Sequence, residues 1–236
     1  MSIIDFHSHI LPSVDHGCAD TDVAISQLSI MKKGGTDIAV ATSHFYPHIH
    51  KVENYKKSVS GAVEQLMSSG ITHAPDITLG AEVLLCEKLH MMVGVGELCI
   101  RGTMVLLLEL PFVKLKDSHY DVAERLMADG YTVVLAHIDR YLAQYGDGID
   151  ELLDMGAVAQ INASSLYSFS TRKKVSKYIT VNEAVWAIGS DLHGADQKCY
   201  RQFVRSQRRL GKQFGEIMTR SEKLLSGAEL IKIKTV

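Results

Sequence analysis

Short hydrophobic runs rich in β-branched residues alternate with amphipathic segments along most of the chain. Runs of this kind, bounded by polar or turn-forming residues, are typical of strands, and nearly continuous hydrophobicity indicates burial on both faces of a parallel sheet. Seven runs are predicted to be strands: residues 3–7, 37–42, 77–83, 104–110, 132–137, 157–162 and 185–191. The sheet is therefore expected to be parallel and to lie in the interior.

The segments between these runs have the hydrophobic spacing of surface helices. Helices are predicted over residues 22–33, 53–69, 118–128 and 148–155. Glycines that would end them are Gly34, Gly70, Gly130 and Gly156. Repeated strand and helix units, without a linker or an internal repeat, indicate one α/β domain over residues 1–236. A closed barrel is expected rather than an array of repeats.

Composition and charge narrow the classes of partner and compartment. The chain has 236 residues, 46% hydrophobic and 22% charged, as expected of a globular domain with a sizeable core. A formal net charge of -2 gives no electrostatic reason to expect nucleic-acid binding. No apolar run approaches the roughly 18 residues of a membrane span, and the start lacks the basic region of a signal peptide. We therefore expect a cytoplasmic protein without membrane insertion.

Histidines and carboxylates stand at the ends of most of the hydrophobic runs, where parallel α/β barrels place their active sites. His7 and His9 alternate on an extended segment, which points both imidazoles the same way. The other members at or near run ends are His44, Glu82, Glu109, His137, Asp191 and His193. Each alone has an ordinary structural explanation, but a core would not bury so many unpaired polar groups. Together they predict a metal site.

Nitrogen and oxygen ligands without thiolates favour zinc, manganese or iron, and eight ligands are too many for one ion. Two or three divalent metals are therefore expected, and such ions activate hydroxide and hold phosphoryl oxygens during displacement. Arg140, three residues after His137, would add a bidentate phosphate contact. The alternative is a surface arginine that pairs with Asp139.

The joint order of these motifs resembles the polymerase and histidinol phosphatase (PHP) superfamily. Within it, the chain is similar to the CpsB/YwqE-type metal-dependent protein-tyrosine phosphatases of capsule and exopolysaccharide operons. The segments that carry the resemblance are Asp5-Phe6-His7-Ser8-His9, Thr42-Ser43-His44, Gly80-Ala81-Glu82, Leu108-Glu109-Leu110-Pro111, His137-Ile138-Asp139-Arg140 and Ser190-Asp191-Leu192-His193.

The resemblance implies a fold, a set of ligands and a substrate. The fold is a distorted TIM-like (β/α)7 barrel of the PHP type. It would hold up to three metals, most commonly manganese, on His7, His9, His44, Glu82, Glu109, His137, Asp191 and His193. Arg140 would bind the phosphate. The substrate would be the phosphorylated tyrosine-rich tail of a cognate bacterial tyrosine kinase that controls polysaccharide synthesis.

Two positions depart from the family pattern. Relatives carry a second aspartate where this chain has His16, in Val14-Asp15-His16-Gly17. His16 is retained as a metal ligand, with Asp15 as a neighbour that would substitute for it; the alternative is a histidine facing solvent in a turn. Asp139 is shorter than the glutamate usual before the arginine, and this change is expected to affect only the support of the ligands.

The leading hypothesis is hydrolysis of a phosphotyrosine ester by metal-bound hydroxide, without a covalent enzyme intermediate. The catalytic group would comprise Arg140, His44, Asp191 and His193, and either a side chain or the metals would assist departure of tyrosine. One alternative is a small-molecule phosphoesterase similar to a histidinol-phosphate phosphatase. Another is a non-catalytic regulator that binds the kinase tail, prompted by His16.

A basic stretch follows the last motif: Lys198, Arg201, Arg205, Arg208, Arg209 and Lys212. It is interpreted as a solvated helix face, with attraction of an acidic, phosphorylated peptide as the alternative. Cys199 and Arg205 also have the C-x5-R spacing of cysteine-dependent phosphatases. The bulky residues between them predict a helix instead of a phosphate-binding loop.

Overall fold

The computed structural model describes residues 1–143, 146–181, 183–194 and 197–233. Over these residues the chain alternates strands and helices. The strands are β1 (Ile4–Ser8), β2 (Ile38–Ala41), β3 (His44–Phe45), β4 (Asp76–Leu79), β5 (Glu82–Leu84), β6 (Val105–Glu109), β7 (Thr132–Leu135), β8 (Val158–Asn162) and β9 (Val185–Gly189). The helices are α1 (Thr21–Lys33), α2 (Val52–Ser68), α3 (Asp117–Ala128), α4 (Gly146–Asp154), α5 (Arg172–Thr180), α6 (Lys198–Leu210) and α7 (Lys212–Leu224).

All the strand pairs between these elements are parallel, and they form two sheets. One sheet has the order β1-β2-β4, and the other has the order β3-β5-β6-β7-β8-β9. Each of the seven predicted runs contains a strand, so the prediction of a parallel α/β fold is confirmed. The described strands form two sheets rather than one continuous closed ladder.

The two sheets arise because one pair of neighbouring strands bends in the middle. β2 pairs with β4, and after a short break the same two segments pair again as β3 and β5. The N–H of Gly80 donates to the Ala41 carbonyl at 2.9 Å, and that of Glu82 donates to Ser43 at 3.1 Å, across the break. At Gly80 a Cβ atom would lie only 3.2 Å from the Ile100 side chain, so glycine permits this close approach.

Strand β1 is also connected to the chain that follows β9. Asp191 donates its N–H to the His7 carbonyl at 2.8 Å, and His9 donates to Leu192 at 3.1 Å. A parallel bridge joins Ser8 to Leu192. The first and last predicted runs are therefore neighbours, and the carboxyl ends of β1 and β9 lie side by side.

The interior of the sheets is filled by hydrophobic side chains, including Phe6, Val40, Leu106, Ile161 and Ile188, each with no exposed surface. Helix α7 packs against β1 and β9, and α3 packs against β7. The four predicted helices correspond to α1 to α4, with boundaries that differ by one or two residues. Among the described residues, no helix is both long enough and apolar enough to cross a bilayer.

Cys199 and Arg205 both lie within α6, as predicted. A helical backbone directs its N–H groups to the preceding turn, so it does not form the amide cradle of a cysteine-dependent phosphatase. Burial also raises the pKa of the Cys199 thiol to about 11. The C-x5-R spacing therefore does not mark a catalytic loop.

A buried aspartate joins β1 to β9 beneath the histidines. Asp5 accepts a hydrogen bond from the Ser190 N–H at 2.8 Å on Oδ1, whereas its Oδ2 atom is buried without a partner. Burial raises the pKa of Asp5 from 3.8 to about 6, so its ionised form is less stable in the folded protein than in the unfolded chain.

Replacement of Asp5 by asparagine is expected to stabilise the metal-free protein at high pH. The folded pKa is raised, so ionisation of Asp5 destabilises the fold as pH rises from about 4 through about 6. The gain in free energy of unfolding for Asp5→Asn is therefore expected to be on the order of 3 kcal/mol at pH 8 and close to zero at pH 4. Urea unfolding at both pH values measures it, and a difference independent of pH would contradict this account.

Candidate metal centre

The carboxyl ends of β1, β6, β7 and β9, with the breaks that precede β3 and β5, bring the predicted ligands to one place. Seven of these side chains are buried: His7, His9, His44, Glu82, Glu109, His137 and Asp191. The eighth, His193, is 29% exposed and stands at the edge of the group. The structure therefore brings together all eight residues that the run ends suggested.

Glu82 occupies the middle of this cluster and has no exposed surface. Its Oε2 atom lies 3.1 Å from His7 Nε2 and 2.9 Å from His44 Nδ1, and its Oε1 atom lies 2.5 Å from His137 Nε2. Burial alone would raise the pKa of this carboxyl, but the charge of His7 and the contacts with His137 and His44 hold it well below its usual range. Glu82 is therefore ionised and available as a ligand.

Nitrogen and oxygen atoms converge here in groups of the size that a metal ion needs. Three overlapping groups have all their ligand atoms within 4.8 Å of one another: His7, His9 and Glu82; His44, Glu82 and Glu109; His9, His44 and His193. Glu82, His9 and His44 each belong to two groups. Residues shared in this way fit neighbouring ions better than a single ion.

Several buried polar atoms of the cluster lack the hydrogen-bond partners that would offset the cost of removing them from water. Glu109 Oε2 is buried without a hydrogen bond, and His44 Nδ1, although 2.9 Å from Glu82, lies outside hydrogen-bond geometry. Burial and the nearby charge of Glu82 raise the pKa of Glu109 to about 7. Buried polar groups in this state are costly, and a divalent cation would satisfy them. The donor set thus fits metal ions.

The outer nitrogens of two histidines are held so that the inner nitrogens face the cluster. His9 Nδ1 lies 2.8 Å from Asp15 Oδ2, and His7 Nδ1 lies 3.1 Å from Gln160 Oε1. With each Nδ1 donating to an oxygen, the lone pair of each Nε2 points inward, where the two Nε2 atoms lie 3.1 Å apart. This arrangement suits shared coordination.

Asp15 orients two ligands, His9 just after β1 and His44 on β3, although the sequence suggested it only as a substitute for His16. Besides His9, its Oδ2 atom accepts the backbone N–H of His44 at 2.8 Å. Burial would raise the pKa of Asp15, but the His9 contacts hold it far below the usual range. Gly17 is required beside it, since a Cβ atom there would lie 2.2 Å from the His9 Cβ.

Asp191 connects the cluster to Arg140. Its Oδ2 atom accepts hydrogen bonds from the Arg140 guanidinium and, at 2.7 Å, from the Asn162 amide. The Arg140 side chain is 37% exposed, so it reaches from the cluster toward solvent. Asp191 and His137 both have positive φ angles, 54° and 30°, a strained backbone that is found most often at functional sites.

The alternative pairing of Arg140 with Asp139 is not observed. Asp139 is buried and accepts the Asn162 N–H at 2.8 Å, which fixes the end of β8. Burial raises the pKa of Asp139 to about 6. Its position agrees with the supporting role expected from the sequence, because Asp139 holds Asn162 and the Asn162 amide in turn donates to Asp191.

His16 lies in an exposed turn beside the cluster. Its ring centroid is 4.9 Å from those of His44 and His193, and its plane is nearly parallel to that of His44, at 11°. It is not in any of the three ligand groups of the described residues. His16 therefore lies in an exposed turn, as the alternative expected, and its ring adjoins two predicted ligands; its role as a metal ligand stays a prediction.

The sequence reasoning missed Gln160 and Asn162. Both lie on β8, and Gln160 Oε1 accepts the His137 N–H at 2.6 Å in addition to its contact with His7. Asn162 is the last residue of its run, so the rule that identified the other ligands would have pointed to it. Neither amide carries the charge or the imidazole that marked the other positions.

The model of the capsular polysaccharide synthesis family CpsB/CapC matches residues 3–231. The chain belongs to this family. It is 26% identical over 210 residues to the tyrosine-protein phosphatase CpsB of Streptococcus agalactiae, which covers 82% of this chain and 84% of the relative. It is 28% identical over 204 residues to the tyrosine-protein phosphatase YwqE of Bacillus subtilis, covering 81% of this chain and 77% of YwqE. The predicted resemblance to CpsB/YwqE-type proteins is confirmed.

Solved structures give the same fold for this CpsB/CapC family member. One of those described for YwqE from Bacillus subtilis and CpsB from Streptococcus pneumoniae, named as metal-dependent tyrosine phosphatases, aligns with a TM-score of 0.79 and 20% identity over 99% of both chains. A probable 2-pyrone-4,6-dicarboxylic acid hydrolase of Acinetobacter baumannii aligns with a TM-score of 0.54 and 12% identity, over 96% of this chain and 100% of that chain. The expected PHP-type, TIM-like architecture agrees with both.

Proposed function

We propose that this chain is a metal-dependent protein-tyrosine phosphatase, a hydrolase of phosphoric monoesters. The observation that carries the proposal is the hydrogen bond from Arg140 to Asp191, which places the guanidinium beside three overlapping groups of metal ligands. Metal ions and a guanidinium around one open site are the components needed to bind a phosphoryl group and stabilise its charge during hydrolysis. The names of the CpsB and YwqE relatives support the choice of phosphotyrosine.

Two or three divalent ions, with manganese first and iron or zinc as alternatives, are proposed to be held by the ligand cluster. The proposed ligands are His7, His9, His16, His44, Glu82, Glu109, His137, Asp191 and His193. When bound, such ions lower the pKa of water to supply a nucleophile near neutral pH and neutralise phosphoryl oxygens. Asp15 and Gln160 keep His9 and His7 in the tautomer that ligation requires.

Arg140 is proposed to bind the phosphate of the substrate. Asp191 and the edge of His137, whose Nε2 atom lies 3.4 Å from the guanidinium, hold Arg140 on one side, while its exposed side faces solvent. A guanidinium offers two parallel N–H groups to two phosphoryl oxygens, and this contact strengthens as negative charge builds up in the transition state. His44, Asp191 and His193 complete the proposed catalytic group.

The proposed physiological substrate is the phosphorylated, tyrosine-rich tail of a cognate bacterial tyrosine kinase that regulates capsular or exopolysaccharide synthesis. The family description, capsular polysaccharide synthesis, supports this pathway. A cytoplasmic location is proposed with it, as expected from the sequence.

Release of phosphate by metal-stripped protein with added manganese tests the substrate class. A tyrosine-phosphorylated peptide and histidinol phosphate are compared side by side, with His7→Ala as the inactive control. Turnover of the peptide that requires manganese and His7 is the expected result. Turnover of histidinol phosphate alone would replace the proposal with a small-molecule phosphoesterase, and binding of the peptide without turnover would indicate a non-catalytic regulator.

His16 is expected to raise the affinity for the ion bound by His9, His44 and His193, because its ring adjoins those of His44 and His193. We expect His16→Ala to lower the affinity of one ion by about 10-fold while the other ions stay bound. His16→Asp should restore that affinity, since a carboxylate replaces the imidazole. Equilibrium dialysis followed by elemental analysis measures this, with the exposed His73→Ala as control. Unchanged affinity for every ion in His16→Ala would remove His16 from the ligand set.

A further inference from the structure

Two helices near the carboxyl end of β8 carry only basic charges. Helix α5 contributes Arg172, Lys173, Lys174 and Lys177, and α6 contributes Lys198, Arg201, Arg205, Arg208 and Arg209. Neither helix contains an aspartate or a glutamate, although the formal net charge of the whole chain is -2. Nine of the 25 lysines and arginines of the chain therefore lie on these two helices, which favours an anionic partner there.

A cavity of about 410 Å³ lies between these helices. Arg172 and Lys173 line it from α5 and Arg209 lines it from α6, while Ser176 and Gln213 add neutral polar groups. We call it the basic pocket. The ion pairs of the described residues include none of its three cations. Three like charges around one cavity repel one another, and an anion between them would relieve that repulsion.

Aromatic rings hold two of these cations in place. The Arg209 guanidinium lies over the ring of Tyr167, 4.9 Å from its centroid, and that of Arg172 lies over Phe169 at 5.3 Å. A guanidinium stacked on a ring keeps its N–H edges available for an anion. Phe169 itself is 88% exposed, which leaves an apolar platform at the rim of the pocket.

The basic pocket and the ligand cluster are connected by one short segment. Asn162, which donates to Asp191 in the cluster, is followed directly by the 3-10 helix Ala163–Tyr167. Five residues of 3-10 helix span about 10 Å. An extended peptide covers this distance in about three to five residues. The segment from Asn162 to Tyr167 therefore has the length of a short extended peptide.

We propose that the basic pocket is a second anion subsite for the peptide substrate. It would bind a further phosphate, or acidic side chains, about three to five residues from the phosphotyrosine at the ligand cluster. This inference rests on the proposed phosphatase function. It makes the enzyme selective for peptides that are acidic or phosphorylated more than once.

Three peptides test the subsite. All carry one phosphotyrosine, and about four residues away they carry a second phosphotyrosine, two glutamates or two glutamines. The double variant Arg172→Gln/Arg209→Gln is compared with the wild type and with Lys57→Gln/Arg125→Gln, which removes the same charge from exposed positions on α2 and α3. Each protein is assayed for kcat and KM with manganese, and for peptide binding by fluorescence anisotropy without turnover.

The wild type and the control should favour at least one anionic peptide over the neutral one by about 10-fold, through KM and binding affinity rather than kcat. In Arg172→Gln/Arg209→Gln the ratio of affinities for the anionic and neutral peptides should fall to nearly one. The kinetics on the neutral peptide should stay within about 2-fold of the wild type. Preference for the second phosphate alone would identify phosphate as the ligand of the pocket, and equal preference for glutamates would identify any anion.

A wild type that binds the three peptides equally would overturn the subsite. So would a preference that persists in Arg172→Gln/Arg209→Gln, or one that falls equally in Lys57→Gln/Arg125→Gln. Failure of the phosphatase proposal looks different: no peptide is hydrolysed with any divalent metal, while anisotropy still reports anionic preference that depends on Arg172 and Arg209. That combination would support the subsite as part of a binding protein.

Discussion

Glu82→Gln is expected to lower turnover of a phosphotyrosine peptide by on the order of 1000-fold or more, with loss of bound metal. Glu82 belongs to two of the three ligand groups and contacts three histidines: His7 on β1, His44 on β3 and His137 just after β7. An amide has the same shape but lacks the negative charge that offsets a divalent ion. Phosphate release and metal content, measured on the same preparation, show whether the two losses occur together.

Glu64→Gln is the matched control, because Glu64 is exposed on α2 and the same charge is removed far from the ligands. It should retain both metal and turnover. Far-ultraviolet circular dichroism of Glu82→Gln verifies that the fold is intact. A folded Glu82→Gln protein with full metal content and ordinary turnover would show that the cluster around Glu82 is not the catalytic centre.

Arg140→Ala is expected to lower kcat/KM by about 100-fold to 1000-fold while leaving the metal content unchanged. Arg140 contacts Asp191 and His137, and none of these three residues belongs to the three ligand groups. Loss of the guanidinium should therefore leave the ions bound. Arg140→Lys keeps the charge but offers no paired N–H groups, so it should recover only part of the activity. Kinetics with a phosphotyrosine peptide, and elemental analysis of both variants, measure this.

Arg125→Lys and Arg125→Ala, at an exposed position on α3, are the corresponding controls and should behave as the wild type. Two results would contradict the role given to Arg140. One is a kcat/KM within about 3-fold of the wild type in Arg140→Ala. The other is a loss of metal equal to the loss of activity, which would make Arg140 a support of the ligands rather than a phosphate contact.

Much of this architecture was predictable because strands and ligands leave strong local signals. A buried parallel strand is nearly continuous in hydrophobicity, so a histidine or carboxylate at its end is conspicuous, as at His7 and Glu109. The bend at Gly80 was not predicted, since it depends on the approach of Ile100 from elsewhere in the chain. The predicted run 77–83 therefore appears as two strands, β4 and β5.

The partners that orient the ligands were harder to predict than the ligands. Gln160 and Asn162 are neutral amides, which occur on many strands without a special role, and only their contacts with His7, His137 and Asp191 reveal their function. The partner of Arg140 was not predicted either, because the only partner considered from the sequence was Asp139. Asp139 is adjacent in sequence, but Asp191 reaches the guanidinium because β9 brings it there.

The basic pocket illustrates a further limit of one-dimensional patterns. The charges of α6 were visible as a run, but their combination with Arg172 and Lys173 of α5 depends on how the two helices flank the 3-10 segment that ends at Tyr167. The sequence alone therefore favoured an ordinary solvated face. The cavity between the helices supplies the reason to consider an anion subsite.

Metal-dependent hydrolysis of phosphotyrosine is tested most directly by a manganese titration of metal-stripped protein. Bound metal and phosphate released from a phosphotyrosine peptide are measured in the same samples. We expect no turnover without metal, turnover that rises as ions fill the cluster, and loss of turnover on chelation that added manganese reverses. Full turnover by the metal-stripped protein, or a filled cluster without turnover, would contradict this expectation.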